Sequence, residues 1–394
     1  MVHRTRRTPR HDQLTVHSSI RTRPGSFRLL ASVTVVGALS LALHGMTTDA
    51  GFRLAPATGS SPRVAAEAAA PPVAGATIPD VPWLVQRPDG GWVYGRGARS
   101  IPHRLAAGET GLAISERWVA SVIPTADGRS TVRFRDRQTG RRAADLETPM
   151  WVSAGAFVDA GLIVTGYGDR SMTIDGGMMI LAPEAGTATV LVAGGPFDPR
   201  LGRPVARGDV AVSPSGHLAA SNACGVRLCD TQVVDLVAGT VSRPVRAGEG
   251  FLRVLTDDAI VTTDGDARWI SARGIVGGEQ AWRGQAGVLL DPIAVADGSV
   301  VGVTGTARDG GRVVSIDRRG AIRDLGPRST GGRSWPRIWT AMSGPSAVVV
   351  AGQPFAEWLG SGDSLAVTVF SLSGGRSTSA AASLRLPSAS EWTR

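Results

Sequence analysis

One strand–turn–strand unit, with a glycine in its turn, recurs along this chain at intervals that leave few folds open to it. It reads Val-Arg-Phe-Arg-Asp-Arg-Gln-Thr-Gly140, Met-Ile-Leu-Ala-Pro-Glu-Ala-Gly186, Val-Val-Asp-Leu-Val-Ala-Gly239, Val-Ser-Ile-Asp-Arg-Arg-Gly320 and Val-Phe-Ser-Leu-Ser-Gly374. Weaker copies surround Gly97 and Gly277, and the seven turns follow one another at 43, 46, 53, 38, 43 and 54 residues. A second landmark keeps step with the first, an apolar strand after a short polar turn. Its copies are Trp118-Val-Ala-Ser121, Leu162-Ile-Val-Thr165, Leu218-Ala-Ala-Ser221, Ala259-Ile-Val-Thr-Thr263, Val300-Val-Gly-Val303 and Ala347-Val-Val-Val350. Two landmarks in phase define a repeat of about 45 residues, the size of a four-stranded propeller blade.

The local pattern agrees. Runs such as Val132–Arg135, Gln232–Leu236 and Val313–Asp317 alternate apolar and polar residues with period two, and no long apolar stripe of helical period follows residue 80. An all-β propeller of seven four-stranded blades over residues 81–394 is therefore expected, since a small twisted sheet covers both faces only by stacking on neighbours. The first unit (81–104) looks one strand short, and the run around Leu384-Arg-Leu386 is expected to pair near it and close the ring.

The stretch Val210-Ala-Val-Ser-Pro-Ser-Gly-His-Leu-Ala-Ala-Ser221 resembles the strand–turn–strand signature of bacterial extracytoplasmic β-propellers of the TolB-like and WD-repeat-like kind, with Ser215 where that signature has Asp. The resemblance covers about four-fifths of the chain. It implies the fold and an address outside the cytoplasm, and leaves activity open, because propellers carry many unrelated functions.

Charge distribution bears on the address. All 42 residues counted as Lys or Arg are Arg, which excludes a phosphate loop with its Lys, a pyridoxal Schiff base and Ser–Lys hydrolase chemistry. Seven of these Arg lie in residues 1–28 against the single acid Asp12, while residues 29–394 are nearly balanced. Nucleic-acid binding needs its basic residues clustered on a folded surface, so none is expected. Residues 29–48 hold no formal charge, a length that just spans a bilayer as a helix or serves as the apolar core of a signal peptide. Either reading leaves the 1–28 tail in the cytoplasm and exports the remainder. Residues 49–80, rich in Ala, Pro, Gly, Ser and Thr, read as a linker.

Residues with chemical potential are few. Cys224 and Cys229 bracket a hairpin loop, where an exported protein forms a disulfide staple. A redox pair or a metal site is the alternative reading. Only His103 and His217 follow residue 80, too few for a three-histidine metal site, and no Gly-x-Ser-x-Gly elbow is present. The acidic turns Asp175-Gly-Gly, Asp264-Gly-Asp266 and Asp309-Gly-Gly read as turn chemistry rather than calcium ligands. Arg333, Trp335, Arg337, Trp339 and Trp358 lie in the loop-rich last unit and form a candidate interface of arginine and aromatic residues, or else fill gaps between blades. No catalytic residue, metal or cofactor is assigned. The expectation is a membrane-tethered, extracytoplasmic module binding a protein or cell-envelope glycan. The alternative is a propeller hydrolase or lyase acting on envelope polymers, and a third option is a sensor signalling through the Arg-rich tail.

Overall fold

A computed structural model describes residues 82–86, 91–97, 103–169, 174–196, 204–225, 229–242, 245–248, 250–263, 269–285, 288–306, 310–328, 337–342, 346–352, 364–373 and 376–385. The basic tail, the 29–48 segment and the 49–80 linker lie outside them. Among the described residues no helix is long and apolar enough to cross a membrane.

The fold is an all-β propeller. Six sheets have the four strands of a blade, each an antiparallel meander, and two of them carry an extra short strand. Blade 1 spans residues 110–148, blade 2 151–196, blade 3 204–248, blade 4 251–285, blade 5 288–328 and blade 6 337–385. A three-stranded N-terminal sheet (82–104) precedes them. Among the described residues the expectation of seven four-stranded blades is thus corrected to six, because the first sheet there has only Pro82–Gln86, Trp92–Arg96 and the two-residue His103–Arg104. The first strands of successive sheets touch in order. Pro82–Gln86 meets both Thr110–Ile114 of blade 1 and Arg337–Met342 of blade 6, which completes the ring. The expected closing run is not used that way. Arg376–Arg385 is the outermost strand of blade 6, paired along its length with Ser364–Ser373.

Both landmarks become strands in fixed places. The apolar landmark is the second strand of each blade, and in blades 1, 2 and 4 it is buried on both sides, as Trp118–Pro124, Gly161–Tyr167 and Ala259–Thr263. The turn glycines Gly97, Gly140, Gly186, Gly239, Gly277 and Gly320 all have φ between 51° and 87° and sit between the last two strands of their sheets. An L side chain costs roughly 1–2 kcal/mol in that left-handed region. Gly239→Ala should cost only this backbone term, since no atom lies within 4 Å of an added Cβ. Gly140→Ala should cost visibly more, because the added Cβ would come 2.9 Å from Nδ1 of His103. Denaturant midpoints of the two variants check this order, and equal losses would refute it.

Apolar side chains bury between blades rather than within them. Val132 and Phe134 of blade 1 pack with Val152, Leu162 and Val164 of blade 2. Ala219 and Val234 of blade 3 pack on Ile163 and Met178 of blade 2, while Ala220 and Val233 pack on Leu252 and Ile260 of blade 4. Val254 and Ile270 of blade 4 then meet Leu289 and Val314 of blade 5, and Val301 and Val313 of blade 5 meet Phe370 and Leu372 of blade 6. Alternation along each strand sends successive side chains to opposite neighbours.

The first strand of every blade bulges relative to the second, by one extra residue in five blades and by two in blade 3, where the register also shifts across Pro204–Ala206. Leu112, Ser153, Arg253 and Trp339 are the extra residues in blades 1, 2, 4 and 6, and the register shifts across Arg207–Val210 in blade 3 and Leu290–Ile293 in blade 5. Bulges raise strand twist and curvature, a requirement common to all strands lining a narrow ring. In blade 5 the bulge holds Asp291 at φ 46°, the only non-glycine with positive φ among the described residues.

Candidate interaction face

An up-and-down meander puts the turn between strands one and two at the same end of the blade as the turn between strands three and four. At that end, blades 3 and 4 present two neighbouring apolar tips. In blade 3 the Asp235 carboxylate accepts the amides of Val237 (2.9 Å) and Ala238 (2.8 Å), and Gly239 completes the turn in the left-handed region. That geometry directs Leu236 onto the core and leaves Val237 75% exposed. Blade 4 repeats the arrangement, with Ile275 packed inward and Val276 87% exposed ahead of Gly277 and Gly278. Val190 and Val241, on the outer strands of blades 2 and 3, are also exposed.

Hydrogen bonds fasten these turns into one surface. Leu236 N donates to His217 O (2.8 Å) within blade 3, and Ile275 N donates to Asp258 O (3.1 Å) within blade 4. Between the blades, Ser215 Oγ donates to Asp257 Oδ1 at 2.6 Å, supported by the Ser215 amide at 3.3 Å. Partial burial works against the Asp257 carboxylate. Hydrogen bonds from Ser215 and Ser213 and the nearby His217 outweigh it and hold the carboxyl below the usual range.

Ser215, His217 and Asp257 are the residue types of a hydrolytic triad, but their bonds run the wrong way. A triad needs the serine hydroxyl on the imidazole and the imidazole on the carboxylate. Here the hydroxyl goes to the carboxylate, and His217 enters through its backbone N, which donates to Ser215 Oγ at 3.3 Å. The group locks two turns together. His103 lies apart, on the outer strand of the N-terminal sheet, stacked on Tyr94 (centroids 5.4 Å) with Nε2 3.2 Å from Gln138 O.

A second polar cluster occupies the seam between that sheet and blade 1. Glu109, its side chain only 2% exposed, accepts Arg133 Nη1 and Arg135 Nη2 at 2.7 Å each and Ser121 Oγ at 3.0 Å. Arg133 also holds Asp145 through a two-pronged contact of 2.9 and 2.8 Å. Burial pushes the Glu109 carboxyl up, and the bonds from Arg135, Arg133 and Ser121 more than reverse this, leaving it below its ordinary value. Burial raises the Tyr94 hydroxyl beside them. Both guanidinium groups are already engaged by protein carboxylates, and all the bonds fall within residues 109–148, so the cluster braces blade 1 on the side that faces the N-terminal sheet.

The remaining sequence candidates divide. Cys224 and Cys229 form a disulfide, as expected, although the strands Leu218–Gly225 and Cys229–Asp235 reach further than anticipated and make the cysteines a cross-strand pair. Arg337 and Trp339 lie on the first strand of blade 6, against the ring, rather than in a loop. Arg333, Trp335 and Trp358 fall outside the described residues, as do Asp264, Asp266 and Asp309. Asp175-Gly-Gly is a bulge within the strand Ile174–Ala182 instead of a hairpin turn, with Asp175 Oδ1 accepting Gly177 N at 2.7 Å. No three His, Cys, Asp or Glu side chains gather as a metal site among the described residues. Val237 and Val276 are not singled out by the sequence, where exposure cannot be read. The signal available is an apolar residue inside the turn, two residues before Gly239 and one before Gly277.

No protein-family model matches the chain, and no curated protein matches it. Among solved structures it is similar to a putative 6-phosphogluconolactonase from Bacteroides uniformis, at 14% identity and TM-score 0.48 over 78% of this chain and 96% of that one. It is also similar to TolB from Acinetobacter baumannii, at 13% identity and TM-score 0.40 over 76% and 81% of the two chains. Hsv2 of Kluyveromyces lactis is similar at 10% identity and TM-score 0.42, over 76% and 95%. What these proteins share with the chain is the propeller fold.

Proposed function

We propose that the chain is a protein-binding module whose contact surface is the turn face of blades 3 and 4, held outside the cytoplasm by the uncharged segment 29–48. The supporting observation is the pair of exposed valines, Val237 and Val276, on turns cross-linked by hydrogen bonds. Exposed apolar side chains on a rigid surface are available for burial at an interface without an ordering cost. The Arg-rich and Trp-rich last unit remains a second candidate contact region.

The test is crosslinking and co-purification from native membranes with a C-terminally tagged full chain. Val237→Asp combined with Val276→Asp should reduce recovery of a partner at least about tenfold, since each charge must be desolvated on docking. The melting temperature should stay near that of the parent, because both side chains are already exposed. Undiminished recovery would sink the assignment of this face. Degradation of envelope polysaccharide by the same preparation would instead favour the hydrolase or lyase reading. The observation behind that reading is the left-handed Asp291 in the innermost strand of blade 5, as sparsely populated backbone conformations gather at functional sites.

A further inference from the structure

The outer strands of the blades differ in how their free edges are guarded. An outer strand leaves a row of main-chain amides and carbonyls unpaired on one side, and charged side chains or proline on it keep other strands off. Arg142, Asp145 and Glu147 guard blade 1, Arg246 guards blade 3 and Arg283 guards blade 4. Blade 5 has Arg323, Asp324, Pro327 and Arg328, and blade 6 has Arg376 and Arg385. The outer strand of blade 2, Thr187–Val192, has no such residue and lies in a stretch from Ala185 to Phe197 without a formal charge. Among the described residues no strand pairs with its outer side. Thr187, Thr189, Val190 and Val192 are β-branched and suit an extended backbone, and Thr187 through Val190 are exposed. Ala188 lies opposite Leu181 and Val190 opposite Met179, which puts both on the side facing blade 1. Thr189 lies opposite Ile180, on the side facing blade 3.

We propose that this edge binds the same edge of a second copy of the chain, as an antiparallel pair about a two-fold axis at Thr189. The surface is the rim of blade 2 and is separate from the turn face of blades 3 and 4. A strand paired antiparallel with itself obeys a two-fold axis by construction, so each main-chain hydrogen bond occurs twice and the assembly closes at two copies. Opposed residues share a face, so Val190 of each copy packs beside Ala188 of its mate, and Thr189 meets Thr189. Val190, 57% exposed in the single chain, thereby loses contact with water. Self-pairing also brings two copies of every side chain onto one short ladder. Each of the guarded edges would crowd arginine against arginine there, whereas the blade 2 edge sets no like charges together. A second copy supplies a strand that is neutral, β-branched and already matched in length. The extra residue Leu191 bends the strand beyond Val190 and keeps the ladder short. The area covered therefore falls below the roughly 1,600 Å² of a standard interface, and the association is weak.

The experiment is sedimentation velocity on the full chain in detergent over about 1–300 µM, the range for a small interface. Thr189→Lys and Thr189→Asp should each weaken self-association about three- to fivefold, because the axis sets each new charge against its own copy. Mixing the two variants should restore association at least to the parental strength, as lysine then faces aspartate. Thermal unfolding of each variant establishes that it folds, which the exposed position of Thr189 allows. Val237→Asp combined with Val276→Asp should leave self-association unchanged. A parent that stays monomeric throughout, single variants that associate as the parent does, or folded variants that fail to combine would each overturn the proposal. Self-association lost on changing Val237 and Val276 but kept in both Thr189 variants would place the second copy on the turn face and overturn the pairing at blade 2.

Discussion

Glu109→Ala is expected to destabilise the propeller by about 3–5 kcal/mol at neutral pH, the cost of removing one partner from a buried ion pair. The change strips the shared carboxylate from two guanidinium groups, Arg133 and Arg135, and leaves the buried Ser121 hydroxyl without its acceptor. Arg135→Met should cost far less, since Arg133 and Ser121 still hold Glu109. The loss should also depend on pH. The folded-state carboxyl titrates below the unfolded value of about 4.3. Its stabilisation is therefore complete above that value and drains away as pH falls through the lower folded one. Asp145 adds to the same trend, held low by its bonds from Arg133 and by Arg142. Parent and Glu109→Ala stabilities, from urea unfolding at unchanged slope, should converge in acid. A loss under about 1 kcal/mol at neutral pH, the scale of an exposed pair, would show that blade 1 does not depend on this carboxylate.

The strand carrying Arg133 and Arg135 supplies a matched comparison on its other side. Phe134→Ala should cost about 3–5 kcal/mol, as burying a phenyl ring and then leaving its cavity both count. Phe134 has no exposed surface, meets Phe157 edge to face at 6.3 Å and packs in the cluster joining blades 1 and 2. No titratable group takes part, so this loss should be the same at acid and neutral pH. The two variants thus probe two faces of one blade, one apolar and one ionic, and pH separates them. A Phe134→Ala loss that vanishes in acid would contradict the assignment of that side chain to the apolar seam.

Much of the fold was legible because its determinants are local. Left-handed turn glycines, period-two alternation and doubly buried second strands each depend on a few neighbouring residues. Gly97, Gly140, Gly186, Gly239, Gly277 and Gly320 therefore fell where the repeat put them. The cysteine pair was legible for the same reason, being five residues apart across one hairpin. One regularity went unread. The apolar landmark ends on a hydroxyl residue in five blades, at its fourth position as Ser121, Thr165, Ser221 and Thr262 and one place later as Thr304, and every one is buried. Only Ser121 meets the Glu109 carboxylate, and nothing within its own strand distinguishes it from the other four.

The sequence by itself determined the all-β class, the repeat and its phase, the turn residues and the disulfide. Tertiary structure alone decided that the first sheet stops at three strands, that Arg376–Arg385 completes blade 6 instead of the ring, and that Arg337 and Trp339 line an inner strand. It also decided that Val237 and Val276 share a surface and that Arg133 and Arg135 converge on Glu109. The division has one physical cause. Strand and turn formation follow from backbone preference and side-chain alternation over a few residues, whereas the neighbour that each blade face meets depends on how separate sheets close around a common axis.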